Sequence, residues 1–177
     1  MTGRARAFWL LFAAMTTIYL IMVLWTLPEI AASAGGLKAF DVRPAGYSET
    51  QARAFLTALS DDGRALYLGV QHWLDTAYPA LVAVTLIYAL FWAFPRAGNL
   101  AHVVFFVVPS GAAVFDYLEN ARVGAMLAMA PQDVTADMIS AASSATVAKS
   151  GLATAAFVML LLGLVRRLFL KWKSRNG

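Results

Sequence analysis

Nearly every ionisable residue in this chain lies at or beyond the ends of four long apolar runs, roughly 8–27, 73–94, 100–118 and 150–170. A helix needs about 20 apolar residues to cross ~30 Å of hydrocarbon, and each run reaches or approaches that length. The pattern predicts an all-α, polytopic membrane protein, a four-transmembrane-helix bundle. Its helices are expected at about 7–28, 62–94, 99–130 and 136–171, as one transmembrane domain over 1–177. With 60% of 177 residues hydrophobic and 14% charged, the chain is too apolar for a soluble domain of this length.

The net charge of +4 does not point to nucleic acid, because of where the charge sits. Arg166, Arg167, Lys171, Lys173 and Arg175 follow the last run, and Arg4 and Arg6 precede the first. Basic clusters beside spans are cytoplasmic anchors near anionic headgroups. An even number of spans puts both termini on that side, so the expected location is the bacterial inner (plasma) membrane with both termini cytoplasmic. The turn with Arg96 and no acid fits the inside; the connection with Asp133 and Asp137 fits the outside. There is no cysteine, which excludes disulfides, Cys-ligated zinc, iron–sulfur clusters and a thiol nucleophile.

Arg4, Arg6, an apolar stretch and Ala32-Ser33-Ala34 imitate a secretory signal with its cleavage site. The stretch from Phe8 to Leu27 is longer than the ~7–15 residues of such a signal, so a retained first helix ending at Pro28 is expected. The outward loop, 29–61, contains Ser48-Glu49-Thr50-Gln51, a capping box. Ala52, Phe55, Leu56 and Leu59 then recur at helical spacing, predicting a short amphipathic helix over 48–59. It is read as lying on the outer membrane surface, with a lid over the bundle as the alternative. The second helix starts near Asp61, the third continues to about Ala130, and Thr135 or Asp137 caps the fourth. The helices should therefore project beyond the outer leaflet. The Ala, Ser and Gly of Ile139 to Ala156 predict close packing against neighbours.

Counting from the cytoplasmic ends, Asp75 lies about 28 Å up its helix, Asp116 about 25 Å and Lys149 about 25 Å. His72 and Glu119 are one turn higher. Asp116, Glu119 and Asn120 share one helix face, and Tyr78 and Tyr117 add hydroxyls at this level. Pro79 cannot donate to the carbonyl of Asp75, nor Pro109 to that of Phe105, which leaves both oxygens available. The ligand-binding candidates are thus His72, Asp75, Tyr78, Asp116, Tyr117, Glu119, Asn120 and Lys149. Lys149 should lie within about 6 Å of an acid, the range in which opposite charges perturb each other strongly.

The plainer explanation is a collar in which Asp75, Asp116, Glu119, Lys149 and Arg122 pair among themselves and hold the helices in register. His72-x-x-Asp75 and Asp116-x-x-Glu119 have spacing suited to an oxygen-rich divalent site, but such spacing is common in helices and His102 lies too far away to join. No metal or cofactor is expected, and no catalytic residue is assigned. G-x-S-x-G, phosphate-binding loops and nucleic-acid motifs are absent.

Asp41-Val42-Arg43-Pro44-Ala45-Gly46-Tyr47-Ser48 and Phe115-Asp116-Tyr117-Leu118-Glu119-Asn120 have the look of motifs, with no activity attached to either. In helix count and membrane-level acids alone, the chain resembles the emopamil-binding and sterol-isomerase superfamily. That resemblance implies a membrane cavity with acids and assigns no residue. Three functions follow as expectations. The first is a non-enzymatic binding or assembly protein with an outward-facing polar cluster at the outer-leaflet boundary. The second is a lipid- or sterol-like ligand binder or membrane enzyme using Asp75, Asp116 and Glu119. The third is a proton-coupled small-molecule carrier, placed last because its acids sit at an edge rather than the midplane. The expected partners are the lipid bilayer and either a lipid-like ligand or another membrane protein, with no nucleic acid.

Overall fold

The computed structural model describes residues 3–176, and all regular structure among them is helical. We number the helices α1 (Gly3–Ala32), α2 (Glu49–Ala58), α3 (Asp61–Ala93), α4 (Asn99–Leu127) and α5 (Ala136–Asn176). All but α2 are long and apolar enough to cross a membrane. The closest packing joins α4 to α5 and α3 to α4, while α1 rests chiefly on α3.

The first helix does not end at Pro28. A π-helical turn at Met22–Thr26 intervenes, with the amide of Leu27 donating to the carbonyl of Met22, and the helix then continues to Ala32. Pro28 falls in the first turn of this resumed segment, where its missing N–H and fixed φ are tolerated. A second π turn, Tyr67–Gln71, lies inside α3 and packs against the first. The Thr26 hydroxyl donates to Gln71 Oε1, so the two irregular turns are joined by a buried hydrogen bond.

Local caps set most other boundaries. Ser48 and Gln51 form the full capping box of α2, Ser60 Oγ accepts from the amide of Gly63 at the start of α3, and Thr135 Oγ1 accepts from the amide of Met138 at the start of α5. The end of α4 comes at Leu127, short of Ala130. Its last carbonyl is taken by a distant side chain: the Arg64 guanidinium donates to the oxygen of Leu127, and also to those of Met129 beyond the helix and Leu56 of α2. Orphan carbonyls met this way need no further helical turn. In contrast, α5 runs past Lys171 to Asn176.

Helix α2 is not a surface helix. Phe40, Ala52, Phe55 and Leu56 are fully buried in one core with Met126 and Leu127 of α4 and Ile139 and Ala142 of α5. Residues 33–60 therefore form a cap over the ends of α4 and α5, the lid arrangement rather than the surface one. Burying a Phe or Leu side chain favours docking by roughly 1.5–3 kcal/mol, and α2 has its apolar positions on one face only. The solvent face carries the Arg53–Glu49 pair at 2.8 Å.

Small residues let the cap sit close. Gly46 has φ +81°, and a Cβ there would meet Ser143 Oγ at 2.6 Å. The next amide, of Tyr47, donates to that same hydroxyl at 2.9 Å. On the other flank, Ala34 is fully buried and Ser33 packs against Gly63, where a Cβ would approach the Ser33 Cβ to 2.5 Å. Ser33, at the centre of Ala32-Ser33-Ala34, is thus in close contact with the start of α3.

Candidate functional site

The Lys149 side chain of α5 reaches two acids on α4. Its ammonium is 3.1 Å from Asp116 Oδ1 and also pairs with Glu119 Oε2. Asp116 and Glu119 lie three residues apart, so one cation arriving from α5 meets both. Glu119 is fully buried, and its other oxygen accepts from the Thr146 hydroxyl at 2.5 Å. Two groups of α5, Lys149 and Thr146, thereby take the two oxygens of a carboxylate shielded from solvent. An unpaired charge in such a place would be costly.

Asp75 belongs to a second chain of bonds. Its Oδ2 accepts from Gln71 Nε2 at 2.8 Å, and Gln71 in turn accepts from Thr26 of α1. The backbone oxygen of Asp75, left without an intrahelical donor by Pro79, accepts from Asn120 Nδ2 at 3.0 Å. One turn along, the Tyr117 hydroxyl donates to the carbonyl of Thr76 at 2.9 Å. Helix α4 therefore points Asn120 and Tyr117 at α3 and Asp116 and Glu119 at α5. Its polar face is shared between two neighbours.

The cap supplies the third part. The Tyr67 hydroxyl of α3 donates to Asp41 Oδ2 at 2.6 Å. Between Asp41, Tyr67, His72, Asp75 and Asn120 lies a cavity of about 10 Å³, closed on its apolar side by Val123, Gly124 and Leu127. That is room for one water molecule and nothing larger. The buried Tyr47 faces Thr146 and Glu119, with its hydroxyl in a well-formed hydrogen bond to neither. Burial first, and then the nearby Glu119 and Asp41 charges, raise the Tyr47 phenol well above its usual range, so it stays neutral.

Of the residues singled out from the sequence, Asp75, Asp116, Glu119, Asn120 and Lys149 do take part in these networks. Lys149 contacts Asp116 and Glu119, while Asp75 is held by Gln71 instead. His72 is exposed and lines the small cavity. Tyr78 stacks on Tyr19 of α1 at 6.1 Å, and Tyr117 ties α4 to the α3 backbone. Arg122 departs from the collar: it donates to the carbonyl of Ala141 at 2.8 Å and, among the described residues, pairs with no acid. His102 stacks on Phe91 at 4.8 Å, far along α4. Among the described residues, no three of His, Asp and Glu gather closely enough to hold a metal ion.

Sequence reasoning missed Asp41, Tyr47, Tyr67, Thr26 and Thr146 as members of the site. Asp41 and Tyr47 stood within a motif-like stretch of the loop, but spacing alone cannot bring a loop over a helix end. A lone threonine in an apolar helix usually bonds back to its own backbone, and Thr146 does so to Ala142 at 3.1 Å besides serving Glu119. Chemically, two of the four carboxyl groups, Asp116 and Glu119, share one ammonium, while the neutral donors Gln71 and Tyr67 serve Asp75 and Asp41 and Thr146 adds a second donor to Glu119. Comparison with protein-family models, with curated proteins and with solved structures finds no match to this chain.

Proposed function

We propose that this chain is an integral membrane protein whose four long helices form one transmembrane bundle. The basic ends lie in the cytoplasm and the cap, 33–60, on the outer side. Its role is binding or assembly rather than catalysis, with a membrane protein as partner, and the polar networks serve to lock helices and cap in one arrangement. The observation that carries this reading is the closure of the acid cluster. Asp75, Asp116 and Glu119 meet the chain's own donors, and the cavity beside Asp75 has room for one water. A substrate would have no space against Asp75 or Glu119 without dismantling the packing around them.

The test is co-purification in mild detergent, comparing the parent chain with Asp116→Asn and Asp75→Asn. A membrane-protein partner retained by all three supports the reading. Loss of the partner from variants that still fold would turn the cluster into the binding site, and catalytic turnover abolished by either change would overturn the non-enzymatic role. Orientation is tested separately with a cysteine at Ser60, since the native chain has none. Labelling by an impermeant maleimide from the outside is expected; labelling only from the cytoplasm would reverse the topology.

A further inference from the structure

The opposite end of the molecule from the cap, where α1 begins and α5 ends, is built of different material. No residue of α1 between Gly3 and Ile21 is buried, because this half of the helix stands against α3 with little else around it. The Tyr88 hydroxyl donates to the carbonyl of Arg4 at 2.9 Å, and the Phe8 and Tyr88 rings meet at 5.6 Å. A groove opens on each side of this contact. One, of about 580 Å³, runs along Phe8, Trp9 and Leu164; the other, of about 590 Å³, runs along Val84, Phe91 and Phe106. Arg4, Tyr88 and Trp92 border both. Each has the volume of a small-molecule pocket and walls that are almost wholly apolar.

The charge at the mouth is one-sided. Arg4, Arg6, Arg96, Arg166, Arg167 and Lys171 gather at this end, and the sequence holds no Asp or Glu before Glu29, between Asp75 and Asp116, or after Asp137. Arg167 is already engaged: it lies over the Trp92 ring at 3.9 Å and donates to the carbonyls of Trp92 and Ala93, closing the end of α3. Arg4 borders both grooves, and among the described residues its guanidinium has no hydrogen-bond or ion-pair partner. An occupant must therefore bring its own anion together with apolar chains.

We infer that the twin grooves beside Tyr88 form a site for one anionic diacyl phospholipid, with its phosphate on Arg4 and its two chains on either side of the Tyr88 ring. A free phosphate would leave the grooves empty, and a zwitterionic lipid would bring a cation to a mouth that has no acid to receive it. This site rests on the membrane reading above and adds a specific lipid to it. Arginine suits the task because its planar fork binds phosphate oxygens in pairs.

The experiment titrates delipidated protein in detergent with dioleoyl phosphatidylglycerol or dioleoyl phosphatidylcholine, counting bound lipids by native mass spectrometry. One phosphatidylglycerol should bind in preference to phosphatidylcholine. Arg4→Gln should weaken it about fivefold, near the effect of one basic residue at an anionic surface, and Lys173→Gln should leave it unchanged. Leu164→Trp, which fills one groove while keeping every charge, should weaken it as well. Equal binding of the two lipids, equal loss in Arg4→Gln and Lys173→Gln, or indifference to Leu164→Trp would each overturn the site. Any of these outcomes leaves the membrane reading intact if the protein still fractionates with membranes. A protein recovered from cells in the soluble fraction would instead sink the membrane reading itself.

Discussion

At the cap end, Phe40, Phe55, Leu56 and Met126 are wholly shielded and polar side chains meet one another across helices. At the basic end, Trp9, Leu100, Phe106 and Leu161 are each more than half exposed, and among the described residues the cations pair with no carboxylate. The first end is arranged as water-facing proteins are, with apolar groups inward and capped helix termini. The second turns its apolar groups outward and keeps its interior contacts for small residues. Gly163 of α5 is one of these, since a Cβ there would press on Ala93 and Phe94 at 2.8 and 2.6 Å. Stability should therefore be concentrated at the cap end, and substitutions at the two ends should differ in effect even when chemically identical.

The severest challenge to that view is Lys149→Met. It strands Asp116 and Glu119 without a cation and should cost about 3–5 kcal/mol. Unfolding in detergent, followed by tryptophan fluorescence, measures the loss. A loss below about 1 kcal/mol would mean that the cluster does not hold the cap end together.

A matched pair sharpens the comparison directly. Leu56→Ala empties a fully buried site and should cost about 3 kcal/mol, whereas Leu164→Ala, on an exposed groove wall, should stay within about 0.5 kcal/mol. Equal losses would erase the contrast between the ends. Next in size is Gly46→Ala. The positive φ and the close Ser143 hydroxyl should together cost about 1–3 kcal/mol, read from the same unfolding curves.

The smallest expected effect is alkaline. Tyr47 titrates above its unfolded value, so its contribution to stability is fully present below about pH 10 and is lost as pH rises from there toward the folded value. Tyr47→Phe should be less sensitive to pH above about 10 than the parent chain. Identical alkaline slopes would show that Tyr47 ionises as freely in the folded chain as in the unfolded one.

Much of this was legible from the sequence where the cause is local. Ser48 with Gln51 and Thr135 act within a few residues of themselves, and apolar length marks the four long helices. Axial level was also readable: the rise per residue puts Lys149 beside Asp116 and Glu119. What failed depended on distant partners. The stop at Pro28 was wrong because a π turn, bonded to a second π turn in another helix, carries the chain through it. The overlong α4 was wrong because Arg64, remote in sequence, takes the carbonyl of its last residue, Leu127. Arg122 had a suitable height, but its side chain went to the Ala141 carbonyl instead. Height along a helix follows from counting, whereas the direction of a side chain around it depends on every neighbour at once.

The two facing π turns bear on which lengths of chain this molecule can accept. Each holds one residue more than an ordinary helical turn, equivalent to about 100° of rotation for everything beyond it. Losing a residue from Tyr67–Gln71 alone would swing Asp75 away from Asn120 and carry the rest of α3 round with it. Losing one from Met22–Thr26 alone would turn Thr26 away from Gln71. Insertions and deletions in α1 and α3 are thus linked across 45 positions of sequence, the separation of Thr26 and Gln71. Natural variation in the lengths of these two helices should come in pairs, one indel answering the other.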